Sequence, residues 1–382
     1  MERLRLVSVC RFNCKVPFLG GGQARMKKYY KLSVAVIAIT ALFQFSGCQD
    51  EIFNEIRDEI KLEDSTVSGH INSIIRFNPN GGNTEYIAIQ NGGVYYRNAA
   101  VETETDWTKD SRTAGQVTKI AADTEYIYAL YTDWKEDLDE GEWVRNSTSI
   151  VCKQNIEDSW TKIYTVDSNT NVSLFCTNAK KKEHRKAYVR IGSTGVYELT
   201  GTTWPALLKV TGDTNASTEP TKDSNSCAWL EGKVYFFNGL ASASNETATD
   251  DASMIYYASG STVYYSSDGS TWNSQSAGDV VYSISYTSDY LCLGTDAGYQ
   301  QMPHSGRIPT GSANDNFSNA SSTLSSYYEV WAVLAVNPEK TQAGNTIFAS
   351  LDYSGSSSST SAVFDNIGLW GYYSDRAKWN RE

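Results

Sequence analysis

Between positions 71 and 382 one pattern is written six times, in units that average about 52 residues, close to the length of a four-stranded antiparallel unit. Each unit has three short runs rich in Tyr, Val and Ile, then an aromatic residue. Candidate first strands begin at Ile71, Val117, Val172, Ser224, Val281 and Glu329, and second strands at Glu85, Glu125, Lys186, Lys233, Asp289 and Asn345. Third strands begin at Gly92, Ser149, Thr194, Ser261, Ala297 and Ile367, and the closing aromatics are Trp107, Trp160, Trp204, Trp272, Phe317 and Trp379. A small sheet cannot bury both of its faces alone, so repeated sheets stack on copies of themselves. The expected fold is therefore all-β, a six-bladed β-propeller of four-stranded blades.

The clearest copy is GSTVYYSSDGSTW, residues 260–272. Within it SSDGSTW resembles the Asp-box of sialidase-like propellers, whose usual form is Ser, any residue, Asp, then Gly, Thr and Trp. The resemblance implies that Ser266 and Asp268 tie the turn between third and fourth strands at Gly269, with Trp272 wedged between sheets. The Asp-box is structural and implies no catalysis.

Composition agrees with the strand reading: 12% of residues are aromatic and there are only seven Pro. Ile75, Ala121, Cys176, Cys227, Ser285 and Ala332 share one position in the first strands, and all but Ile75 are small, as suits strands converging on an axis. The chain stops just past Trp379, where a sixth outer strand should begin, and a bare sheet edge invites aggregation. Residues 61–67 are expected to supply that strand and close the last blade.

Residues 26–48 read as a secretion signal, with Lys27, Lys28 and Lys31 ahead of a mostly apolar core too short to span a bilayer. Its ending, Phe45-Ser46-Gly47-Cys48, resembles the bacterial lipobox, which implies cleavage after residue 47 and lipidation of Cys48. Residues 1–25 fit no such pattern. Gly codons begin GG, so Gly20–Gly22 just ahead of Met26 suit a translated ribosome-binding site, and Met26 is expected to be the true start. Residues 48–60 form an acidic tether or, with Ile52, Ile56 and Ile60 four apart, a short amphipathic helix. Acidic residues straight after a lipidated Cys also resemble the export tags of surface lipoproteins. Residues 61–382 are the propeller.

Without residues 1–47 the chain carries 25 basic and 43 acidic residues, a net charge of −18, which disfavours nucleic acid and anionic membrane surfaces as general partners, so no nucleic-acid partner is expected. Cys152, Cys176, Cys227 and Cys292 all fall in expected strands, where buried free thiols are preferred to disulfides. With no CxxC and three scattered His, neither metal nor cofactor is expected.

The second-to-third connections are long at 132–148, 240–253 and 352–366, which puts three loops on one rim. In the fourth unit MIYYASGSTVYY could instead supply second and third strands, moving the long insert to the other face. The first loop, DWKEDLDEGEW, sets Asp133, Glu136, Asp137, Asp139 and Glu140 between Trp134 and Trp143. Calcium would want DxDxDG, which is absent, so a solvated loop is preferred, with the Trp and acids suited to a sugar or protein contact. KKKEHRK at 180–186 is basic enough to dock a polyanion, although a solvated hairpin tip is preferred. Gly306-Arg307-Ile308-Pro309 is similar to the Arg-Ile-Pro motif of sialidases, which implies a carboxylate-binding role for Arg307. No nucleophile elbow, phosphate loop or HExxH occurs.

These residues point to a monomeric, lipid-anchored protein of a bacterial outer membrane, periplasmic or surface-exposed, that binds a protein or glycan through its long-loop face. The alternative is a glycan-active propeller enzyme of sialidase or lyase type. No catalytic residue is assigned.

Overall fold

The computed structural model describes residues 67–382 except 68, 72, 101–106, 112–115, 138–140, 193–194, 209–224, 240, 244–253, 315–327, 354–366 and 375–377. The lipidation site, the tether, Asp139 and Phe317 lie outside the described residues.

The described strands form seven antiparallel sheets in chain order. The first holds β1 (Ile74–Phe77), β2 (Tyr86–Asn91), β3 (Gly93–Asn98) and β4 (Thr108–Lys109), and the second β5 (Gln116–Ala122), β6 (Ile127–Asp137), β7 (Glu142–Lys153) and β8 (Thr161–Asp167). The third has β9 (Val172–Cys176), β10 (Ala187–Ile191) and β11 (Gly195–Leu199), and the fourth only β12 (Ser226–Leu230) and β13 (Lys233–Phe237). The fifth is β14 (Ala241–Ala243), β15 (Ile255–Ser259), β16 (Thr262–Ser266) and β17 (Asn273–Ser276). The sixth is β18 (Val281–Tyr286), β19 (Tyr290–Thr295), β20 (Gly298–Ser305) and β21 (Ile308–Pro309), and the seventh β22 (Tyr328–Ala335), β23 (Ile347–Tyr353), β24 (Gly368–Tyr373) and β25 (Lys378–Arg381).

Seven sheets replace the six units expected, and the difference lies in the fourth. β14 is Ala-Ser-Ala inside a Ser, Thr and Asn-rich stretch that sequence reads as loop, yet it pairs with β15. Pairing to a neighbour supplies what its own weak strand preference does not. The third strand expected at Ser261 therefore belongs to a fifth sheet, where β15 and β16 are the second and third strands.

Strand sequences follow from their surroundings. In β2, Ile87 and Ile89 face the seventh sheet while Ala88 faces the second, because successive side chains leave opposite faces. Both faces are buried, so the strands read as near-continuous apolar runs. Seven buried clusters among the described residues each join consecutive sheets, and one of them packs Ile87, Ile89 and Trp107 against Leu334, Phe348 and Tyr373 of the seventh. Each fully buried Ile, Leu or Phe there contributes about 1.5–3 kcal/mol. The first strands neighbour one another in chain order, and β22 neighbours β1.

The outer strand of the last sheet is β25 itself, paired to β24 with Trp379 opposite Tyr372. The position expected for residues 61–67 is thus occupied by the chain's own end. Val67 still reaches it: its N–H donates to the Glu382 carbonyl at 3.0 Å, and its carbonyl accepts from Leu369 at 3.1 Å.

Two junctions between sheets use the same parts. Between the first and second, the buried Lys153 ammonium bonds Asp110 at 2.5 Å, the Trp160 indole donates to the same carboxylate at 3.1 Å, and Lys153 lies 5.1 Å over the Tyr96 ring. Between the seventh and first, Arg97 bonds Glu382 at 2.9 Å, the Trp107 indole donates to it at 2.9 Å, and Arg97 lies 5.1 Å over the Tyr373 ring.

Candidate functional site

In sheets that run up and down, first-to-second and third-to-fourth connections lie at one end of the strands. Second-to-third hairpins and sheet-to-sheet connections lie at the other. The two ends differ.

The first end is strapped. The β9–β10 connection, holding KKKEHRK, leaves the third sheet and bonds to the first and seventh. Arg185 is buried, donates to Glu85 at 2.5 Å and also bonds Asn78. Lys180 donates to Glu85 and to the Val336 carbonyl, both at 3.1 Å, and Arg76 reaches the Ala335 carbonyl at 2.7 Å. Lys182 caps the Gly81 carbonyl at 2.5 Å, and the His184 ring stacks on Trp229 of β12 at 3.5 Å. This overturns the solvated tip expected from the charge run: Lys180 and Arg185 are engaged by Glu85, Lys186 by Glu198, and Lys180 and Lys182 also by backbone carbonyls. Burial alone would raise the Glu85 pKa, but Arg76, Arg185 and Lys180 together hold it below the usual carboxylate value.

At the same end lies the turn between β16 and β17. The Asp268 carboxylate accepts from the Ser270 and Thr271 N–H groups, both at 2.7 Å, and Ser266 Oγ accepts from the Gly269 N–H at 2.8 Å. Those backbone bonds to Thr271 and Ser270 hold the Asp268 pKa down to about 2. Trp272 meets Phe237 and Tyr257 edge-on at 5.8 and 5.3 Å, between the fourth and fifth sheets. Arg307 is here too, in the two-residue turn between β20 and β21, with φ +70°. Its guanidinium sits 4.6 Å over Tyr286, and its carbonyl accepts from the Tyr256 hydroxyl.

The opposite, hairpin end carries the tryptophans. Residues 132–137 and 142–148, expected as parts of a loop, are a continuation of the β6–β7 ladder with Glu136 opposite Trp143 and Trp134 opposite Arg145. Facing partners share a face, so Trp134, Glu136, Trp143 and Arg145 lie on one side of this arm and Lys135, Asp137, Glu142 and Val144 on the other. The structure therefore brings Trp134 and Trp143 together, 40% and 68% exposed, and turns Asp137 away from them. Arg145 braces that side by donating to the Ser168 carbonyl at 2.8 Å and the Thr170 carbonyl at 3.0 Å.

A second cluster at the hairpin end escaped sequence reasoning. Glu329 in β22 stands directly opposite Asp352 in β23. Trp331 stacks on Tyr282 of β18 at 4.2 Å and meets the His70 ring edge-on at 5.8 Å, while His70 bonds Asp352. The available signal was Glu and Trp at the head of an otherwise aliphatic first strand. Burial and the charges of Asp352 and Asp296 raise the Glu329 pKa; burial would also raise that of Asp352, but the bond to His70 lowers it.

Among the described residues no group of three His, Cys, Asp or Glu is placed to hold a metal ion, and no helix is long and apolar enough to cross a membrane. Cys152, Cys227 and Cys292 are buried free thiols and Cys176 is half-buried.

No known family matches this chain, and no curated relative does. Among solved structures it is similar to the PQQ-bound aldose sugar dehydrogenase of Streptomyces coelicolor, at 8% identity and TM-score 0.41 over 81% of this chain and 96% of that one. It is also similar to a chain of the mitotic checkpoint complex, at 11% identity and TM-score 0.35 over 96% and 99%. BBS1N in complex with ARL6DN gives 9% identity and TM-score 0.37 over 81% and 80%. Likenesses this distant carry no functional argument.

Proposed function

We propose that this chain is an exported binding or scaffold protein, anchored through lipidated Cys48 to a bacterial outer membrane, that holds a protein or glycan on its hairpin end. Its seven sheets form a closed propeller, and it acts as a monomer without cofactor or metal. One observation carries the reading: the strap bonded to Glu85 ties the third sheet to the first and seventh at one end, while the other presents Trp134 and Trp143 on a braced arm. Exposed aromatics on a rigid support lose little entropy when they bind, which is what a recognition surface needs.

The sialidase-type alternative is less well supported. Arg307, its sequence anchor, belongs to a third-to-fourth turn at the strapped end and is engaged with Tyr286 and Tyr256.

Two measurements test the proposal. Labelling with a clickable palmitate should mark the wild type and not Cys48→Ser. A glycan array and a set of purified outer-membrane proteins should give saturable binding that falls at least tenfold in a Trp134→Ala, Trp143→Ala double variant. Binding untouched by the double variant would reject the hairpin arm, and an unlabelled wild type would reject the anchor.

A further inference from the structure

The pair Glu329 and Asp352 is costly where it stands. Directly opposed residues of antiparallel strands hold their side chains side by side, and like charges so placed destabilise the sheet. The His70 ring is bonded to Asp352. Among the described residues neither carboxylate has a lysine or arginine partner.

The aromatic groups form an independent feature with the same polarity. Trp331 and Tyr282 lie parallel, 8° apart in plane, and both are only half-buried. They come from neighbouring first strands, so the stack sits at the inner margin of the hairpin end. The face of an indole or phenol ring is electron-rich and attracts cations. Two opposed carboxylates and a ring stack thus meet at one place.

We infer that this cluster receives a lysine or arginine side chain from a basic segment of a partner protein, laid against the Trp331 and Tyr282 rings and held by Glu329 and Asp352. The inference rests on the binding reading above and names the chemistry of the partner. A cation here relieves the Glu329–Asp352 repulsion, and partial burial strengthens the attraction by lowering the local dielectric. A neutral sugar could stack on the rings but would leave that repulsion in place. A side-chain cation on a flexible stem also reaches half-buried groups that a ring-borne ammonium cannot approach without bringing its ring along. The net charge of −18 left after residue 47 steers basic partners toward the chain and anionic ones away.

The test is calorimetric titration of the whole chain, purified in detergent, with hexalysine, hexaarginine, a glucosamine hexamer, cellohexaose and hexaglutamate. Hexalysine or hexaarginine should bind, at least tenfold more weakly to Glu329→Gln and to Asp352→Asn, and more weakly to Trp331→Leu. Glu329→Gln removes a repulsion, so its melting temperature should match or exceed that of the wild type, which separates lost binding from lost folding. Equal affinity of the basic peptides for wild type and Glu329→Gln overturns the inference, as does preference for the glucosamine hexamer or cellohexaose. If a neutral glycan binds and the Trp134, Trp143 double variant loses it, the binding reading stands and this inference alone fails. If no probe and no array ligand binds, both fail.

Discussion

The Trp107 indole donates to the Glu382 carboxylate at 2.9 Å, joining an aromatic of the first sheet to the end of the seventh. The Trp160 and Asp110 pair repeats this relationship one junction on, at 3.1 Å. In each case a buried cation, Arg97 or Lys153, completes the group. Truncating Glu382 to Ala takes the carboxylate from a buried guanidinium and should cost about 3–5 kcal/mol in urea denaturation. Replacing Arg97 and Glu382 together by Met should recover much of that loss. A Glu382→Ala chain as stable as the wild type would show that this junction does not hold the seventh sheet to the first.

The strap makes stability depend on pH through Glu85. Its folded pKa lies below its unfolded value, so its contribution is complete above the unfolded value and is lost as pH falls through the folded one. The urea midpoint of the wild type should therefore fall on acidification below about pH 4. Glu85→Gln should be less stable at neutral pH by about 3 kcal/mol and show a flatter acid limb.

Gly269 can be nothing else. Its φ is +71°, and a Cβ there would lie 1.8 Å from the buried Tyr235 ring. Gly269→Ala should cost on the order of 2–4 kcal/mol by thermal or chemical denaturation. Asp268→Ala should also lower the melting temperature. With the Asp268 pKa at about 2, that contribution is complete above the ordinary aspartate value and is lost as pH falls from there through about 2.

Arg307 occupies a left-handed position that glycine prefers, and the chain tolerates this by placing its guanidinium on Tyr286. Arg307→Ala keeps the backbone strain and loses the ring contact, whereas Arg307→Gly loses the contact and the strain together. Gly at 307 should be more stable than Ala by about 1 kcal/mol, measured as the difference between their unfolding free energies. The reverse order would show that the turn is not strained.

Much of the scaffold was legible because it is local. Alternation in runs such as YIAIQN, Gly and Asp at turns, and Trp at the head of outer strands all act within a few residues, so spacing alone announces them. β14 failed this test: Ala-Ser-Ala has no alternation to read, and only its pairing with β15 makes it a strand. The charge run at 180–186 failed differently. Its composition is that of a solvated tip, and nothing near it in sequence announces Glu85, a hundred residues away from Arg185.

The candidate site divides the same way. Trp134 and Trp143 stood out as aromatics among acids, yet the register of β6 on β7 decided that Glu136, and not Asp137, shares their side. Glu329, Asp352, His70 and Tyr282 are spread over almost the whole described chain and meet only because successive sheets bring their strand ends to one margin. By itself the sequence determined most strands, β14 and β21 excepted, and the turn chemistry, which depend on neighbouring residues. Tertiary structure alone decided the number of sheets among the described residues, the partner of each buried charge and which end the strap ties down, because those depend on contacts between residues that no spacing relates.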